Sequence, residues 1–222
     1  MATMETTKNS LENDLALQYL VRPASSTSIQ PKALILLHGV GSNEQDLFQL
    51  AAHFPDEFTV ISPRGPIILG EGRYAWYEVD FSSGKPEINA AQEAQSRQDI
   101  QLFITQVKEK YNLTEVYIGG FSQGAIMSYS IGLTYPKDVN GVIAFSGRVL
   151  EEIQSSVTKT EDLHHLKIFI AHGLQDGTLP VHYARQAKAF LQNLEVPFTY
   201  HEYNMAHQIN GEVLKDLAAW LK

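Results

Sequence analysis

Apolar residues in this chain gather into short unbroken runs, separated by longer stretches that repeat at helical spacing. Residues 33–37, Ala-Leu-Ile-Leu-Leu, contain no polar side chain, the pattern of a strand covered on both faces. Residues 58–61, 115–119, 141–146 and 166–171 read the same way, with 15–21 as a first strand and 197–203 as a last. Pro23 and a Ser/Thr cluster end the first of these. Residues 89–111 place Ile100, Phe103, Ile104 and Val107 on one face of a helix. Further helices are expected over 44–54, capped by Ser42 or Asn43, over 125–131, from Pro180 to about 194, and over 209–222.

Two stretches fit neither period. Residues 147–165 are polar and weakly periodic, and 64–87 form a long irregular segment around Trp76-Tyr77. Loops of that length inside compact domains are usually functional or disordered. Strands alternating with helices predict an α/β fold with a mostly parallel central sheet, helices on both faces and no large lid domain. No repeat, linker or shift in composition interrupts 15–222, which is expected to form a single domain behind a flexible tail over 1–14.

Composition narrows the chemistry. The 222 residues are 44% hydrophobic, enough for one full core. A balance of 17 Lys+Arg against 25 Asp+Glu, net charge -8, disfavours a nucleic-acid partner. With no cysteine, neither a disulfide nor a thiolate nucleophile exists. The polar N-terminus does not read as a signal peptide and no 18-residue apolar run spans a membrane, so a cytoplasmic location is expected.

The stretch Gly120-Phe121-Ser122-Gln123-Gly124 carries the most information. Gly and Ser frequencies predict roughly 0.08 chance occurrences of G-x-S-x-G in a chain of this length, and here it joins a strand to a helix. That is the nucleophile elbow of α/β-hydrolases, with Ser122 as the attacking hydroxyl. A serine hydroxyl needs a base within reach and an acid to orient the base. Asp176 follows the strand over 166–171, whereas Asp138 and Asp162 do not directly follow a strand. Among the histidines after Asp176, His182 opens a helix and His201 lies inside a strand, while His207 falls between the last strand and the last helix. Ser122, Asp176, His207 is the chain order of that fold.

Oxyanion donors are expected from the backbone amides of Gln123 and Val40, each worth about 3 kcal/mol of barrier. His38 reads as a brace for its loop rather than a base. His164-His165 read as a solvated pair, with no metal and no cofactor expected. Ile67, Leu69 and Trp76 are expected to line an apolar acyl site, with packing against the core as the alternative.

These segments resemble the phospholipase/carboxylesterase family of small α/β-hydrolases, relatives of acyl-protein thioesterases. The matching pieces are residues 36–41, 120–125, 172–176 and 206–207, with 63–66 and 76–77 where that family has its substrate-facing segment. The resemblance implies hydrolysis of carboxyl esters or thioesters by a Ser-Asp-His triad. The loop Val40-Gly41-Ser42-Asn43-Glu44 differs from the Leu-Gly-Asp-containing loop of eukaryotic thioesterases, which favours a bacterial-type carboxylesterase. With no large lid and an apolar acyl site at residues 67–69 and Trp76, short to medium acyl esters are the expected substrates. An acyl-protein or acyl-CoA thioesterase, or an idle ligand-binding version of the fold, remains an alternative. The expected partner is a small ester substrate, and a homodimer stays open.

Overall fold

The computed structural model describes residues 10–25, 29–80, 82, 86–157 and 159–222. Its centre is a seven-stranded sheet built from β1 (Tyr19–Arg22), β2 (Lys32–Leu37), β3 (Phe58–Pro63), β8 (Glu115–Phe121), β9 (Gly141–Phe145), β10 (Lys167–Gly173) and β11 (Phe198–Tyr203). The spatial order is β1-β3-β2-β8-β9-β10-β11. All neighbours are parallel except β1, which runs antiparallel to β3 through Tyr19↔Pro63 and Arg22↔Val60. Chain order runs outward in opposite directions from the β2/β8 pair. The loops leaving those two strands therefore diverge around a crevice at their carboxyl ends, where open α/β sheets bind ligands.

Both faces of each central strand are covered, which is why the strands read as apolar runs rather than alternating ones. Ile35 and Leu37 join one hydrophobic cluster, while Leu34 and Leu36 join the other. On the first face lie α2 (Ala90–Lys110), α3 (Gln123–Thr134) and α6 (His182–Asn193). On the second lies α7 (Gly211–Trp220), beside α1 (Gln45–Phe48) and a 3-10 turn over Gln49–His53. Helix α2 buries the predicted stripe Ile100, Phe103, Ile104 and Val107. Asn89 caps it by accepting from the Gln92 amide, and Asn210 caps α7 by accepting from Val213. Helix α3 is buried from Gln123 through Leu133, so its sequence carries no polar face.

Four expectations change. The helix expected over 44–54 is one α-turn that tightens into the 3-10 turn, with Asn43 Oδ1 accepting from Gln45 N at 2.9 Å. The irregular 64–87 segment holds two small hairpins, β4 (Ile67–Gly70) with β5 (Arg73–Ala75), and β6 (Val79–Asp80) with β7 (Glu87–Ile88). Strands this short leave no period to read. Residues 147–165 contain two single-turn helices, α4 (Glu151–Gln154) and α5 (Glu161–His164). Within the expected tail, residues 1–9 lie outside the described ones, but 10–14 are tied down: Glu12 bridges Tyr19, and Asp14 accepts from Lys110 Nζ at 2.7 Å. Among the described residues no helix is long and apolar enough to cross a membrane.

Phe103 lies wholly buried between α2 and β1, its ring 5.3 Å from that of Tyr19 in an edge-to-face contact. Phe103→Ala should destabilise the fold by about 3–5 kcal/mol, measured as a lowered urea midpoint at unchanged m-value.

Candidate active site

The elbow follows from two glycines. A Cβ at Gly124 would sit 1.9 Å from the carbonyl oxygen of Leu37, and one at Gly120 would sit 2.5 Å from both that oxygen and the Gly124 carbonyl carbon. Only glycine lets α3 begin this close to β2 and β8. Ser122, between them, takes φ 56° and ψ -117°, a conformation that costs a non-glycine residue about 1–3 kcal/mol. Its neighbours hold it there: the Ser122 amide donates to Phe145 O at 2.9 Å, and its carbonyl accepts from the Ile126 amide at 3.0 Å.

The loop after β2 lies against this turn. His38 is wholly buried and bonded at both nitrogens: Nδ1–H donates to Gly39 O at 2.8 Å, and Nε2 accepts from the Gly65 amide at 2.9 Å. Burial lowers its pKa, outweighing the nearby carbonyl and carboxylates. It is a neutral brace, as expected. Among the described residues, the amides of Val40 and Gln123 donate to no protein acceptor. Val40 and Ser122 both line one groove.

Asp176 and His207 come from the loops after β10 and β11. The two loops are laced together: the Leu174 amide donates to Tyr203 O at 2.8 Å, and the Gln175 amide to Met205 O at 3.1 Å. Asp176 Oδ1 accepts from the amides of Thr178 and Leu179 at 2.9 and 2.8 Å. Its Oδ2 lies 2.7 Å from His207 Nδ1. Burial disfavours the Asp176 charge, but the His207 bond and the two amides outweigh it and hold the carboxyl below its usual range. A carboxylate only accepts, so the His207 proton sits on Nδ1 and Nε2 keeps its lone pair. The imidazole rests on Phe121, the residue before Ser122, with ring centroids 4.6 Å apart. Beneath Asp176, buried His172 places Nε2 2.6 Å from Leu179 O, where that nitrogen must donate. Burial lowers the His172 pKa as well.

The sequence profile of the Phospholipase/Carboxylesterase family matches residues 23–222. The chain belongs to the phospholipase/carboxylesterase family. Membership places it among the α/β-hydrolases, and its relatives carry both names the sequence suggested. A probable carboxylesterase, SOBER1-like, from Arabidopsis thaliana is 29% identical over 72% of this chain and 64% of its own length. Acyl-protein thioesterase 1 of Mycosarcoma maydis is 28% identical over 91% of this chain and 95% of its own. Among solved structures, a carboxylesterase from Mesorhizobium loti superposes with a TM-score of 0.82 at 23% identity, covering 96% of this chain and 97% of that one. That likeness concerns the fold.

For a member of this family, the wall beside Ser122 departs from the sequence expectation. The groove, about 260 Å³, is bounded by Tyr77, Val79, Ile88, Ile126 and Leu179 together with Val40 and Gln123. Ile67, Leu69 and Trp76 do not line it. Trp76 is wholly buried, its indole N–H donating to His38 O at 2.9 Å. Ile67 and Leu69 sit on the β4/β5 hairpin, which is fastened to the outside of the β2 loop through Gly41 N to Tyr74 O and Tyr74 N to Ser42 O, both 2.8 Å. His164 and His165 are solvent-exposed.

Sequence reasoning also missed the Gln123 side chain. Its Oε1 accepts from the Trp76 amide at 2.9 Å and its Nε2 donates to Tyr77 O at 2.7 Å. Gln123 thus stitches the Tyr77 wall to the elbow. Nothing local in the sequence marks that role.

Two buried neutral histidines make stability depend on pH. Their folded pKa values lie below the unfolded value near 6.5, so the unfolded chain binds more protons at acidic pH. Their contribution should be complete above about pH 6.5 and decline as pH falls through the folded values. Urea midpoints at pH 8 and pH 5 test this. His38→Gln should lower stability by about 1–3 kcal/mol, by leaving the Gly65 amide poorly paired, and should flatten the slope; an equal midpoint at both pH values in the wild type contradicts the account.

Proposed function

We propose that this family member is a serine carboxylesterase that cleaves short to medium acyl esters through an acyl-enzyme. The reading is carried by one observation: the Asp176–His207 bond of 2.7 Å stands at the same sheet rim as the strained Ser122 turn. His207 Nε2, held as the acceptor, takes the proton of Ser122 as its oxygen attacks the ester carbonyl. The amides of Val40 and Gln123 hold the tetrahedral oxyanion. His207 then protonates the departing alcohol. A water molecule, deprotonated by the same imidazole, attacks the acyl-serine, and the acid leaves with Ser122 restored. No step calls for a metal or organic cofactor.

The groove's small volume, about 260 Å³, supports the acyl-length assignment, and its apolar wall includes Tyr77 and Ile126 from the packed core. A second reading, thioester hydrolysis, is supported by the relationship to acyl-protein thioesterase 1. It uses the same groups, and a thiolate departs with less need of protonation than an alkoxide. Paired oxygen and sulfur esters of one acyl chain separate the two.

Ser122→Ala should lower kcat for a 4-nitrophenyl ester by roughly 10⁴–10⁶-fold and abolish labelling by an active-site phosphonate. Retained activity removes the proposed nucleophile. Asp176→Asn should lower kcat by about 10⁴-fold, because the amide permits the wrong imidazole tautomer.

A further inference from the structure

Arg148 stands out among the groups around the groove. Of the other five arginines, four hold carboxylates, Arg22 with Asp56, Arg64 with Glu44, Arg97 with Glu93 and Arg185 with Glu202, and Arg73 is exposed outside the groove lining. Arg148 pairs with no carboxylate among the described residues; its guanidinium lies 5.4 Å from the centre of the Tyr183 ring. It lines the same groove as Ser122, in a wall otherwise made largely of Tyr77, Val79, Ile88, Ile126 and Leu179. Glu151, across an adjoining cleft, forms no ion pair with it.

Its placement is built into the backbone. Arg148 follows β9, next to β8 in the sheet, so it leaves the same rim as Ser122. A Cβ at Gly147 would meet that of Ala125 at 2.6 Å, so this glycine lets the loop lie flush against the first turn of α3. Helix α6 also starts at the groove, with His182 and Tyr183 in its lining, no side-chain cap and no acidic residue in its first turn. Its amide dipoles add to the positive field there.

We infer that the groove selects esters whose acyl arm ends in a carboxylate, half-esters of aliphatic dicarboxylic acids, with Arg148 binding the distal carboxylate. This rests on Ser122 being the nucleophile. The acyl arm, rather than the alcohol, is assigned to the groove because the leaving oxygen must face His207, and His207 is not part of the groove wall. A guanidinium binds a carboxylate through paired, charge-assisted hydrogen bonds, and the aliphatic arm between them covers the apolar wall.

The experiment compares kcat/KM for 4-nitrophenyl hydrogen adipate and 4-nitrophenyl hexanoate, equal in arm length, in wild type, Arg148→Met, Arg148→Lys and Ser122→Ala. The ratio of the two within one protein cancels any loss of folded enzyme. The wild type should favour the adipate by about tenfold or more at low salt, with the preference shrinking as salt rises. Arg148→Met should lower the ratio at least tenfold, and Arg148→Lys should keep part of it. An unchanged ratio in Arg148→Met, or a wild type that favours hexanoate, overturns the inference while leaving the esterase reading standing, provided Ser122→Ala loses both activities. Turnover of both esters surviving in Ser122→Ala overturns the esterase reading and this inference together.

Discussion

At the joint where β2, β8 and α3 meet, main chain touches main chain. The Leu37 carbonyl occupies the space that a side chain at Gly124 would need. This contact sets the distance between the two strands' outgoing loops, and almost every feature of the site depends on it. It brings the start of α3 under the loop carrying Val40. It also puts Ser122 Cβ within 3.5 Å of where a side chain on Gly39 would begin. The proposed nucleophile and the amides proposed to hold the anion are therefore registered by backbone, which close packing keeps rigid, and not by mobile side chains.

Around that joint the polar groups work in buried pairs. His38 uses both ring nitrogens to hold two loops, and Asp176 divides its oxygens between its own loop and His207. In a water-poor interior such bonds are stronger, and an orphaned partner is costly. Glu44, nearly buried, is matched by a two-pronged contact from Arg64 at 2.7 Å on each side. These brackets fix loops that have little regular structure of their own, whereas an exposed pair such as Lys137–Asp162 at 3.5 Å contributes little.

The strands, the long helix α2 and the elbow were legible because each leaves a pattern in neighbouring residues, whatever the distance of the contacts that use it. Ile100, Phe103, Ile104 and Val107 announce a helix face on their own, and Gly120 and Gly124 announce a tight turn. Asp176 and His207 were placed by chain order, and in the fold their side chains share a hydrogen bond of 2.7 Å. The acyl wall was misread because it depends on what lies opposite. Trp76 reads as part of an acyl wall until His38 O and the core receive it. Val79 and Ile88 meet through a two-residue ladder that has no period in the sequence, with Tyr77 two residues before it. Arg148 gave no signal at all, since being unpaired is a property of the surroundings and not of the residue.

Gln123 is where two requirements share a single residue. Its main chain provides an N–H at the mouth of the elbow, while its carboxamide is fastened to the strip bearing Tyr77. A guest that pushes the strip outward would tug on the very donor proposed to meet developing negative charge. Fit along the arm and alignment at the reacting carbon are thus mechanically linked, so a poorly matched chain would slow turnover as well as loosen its grip.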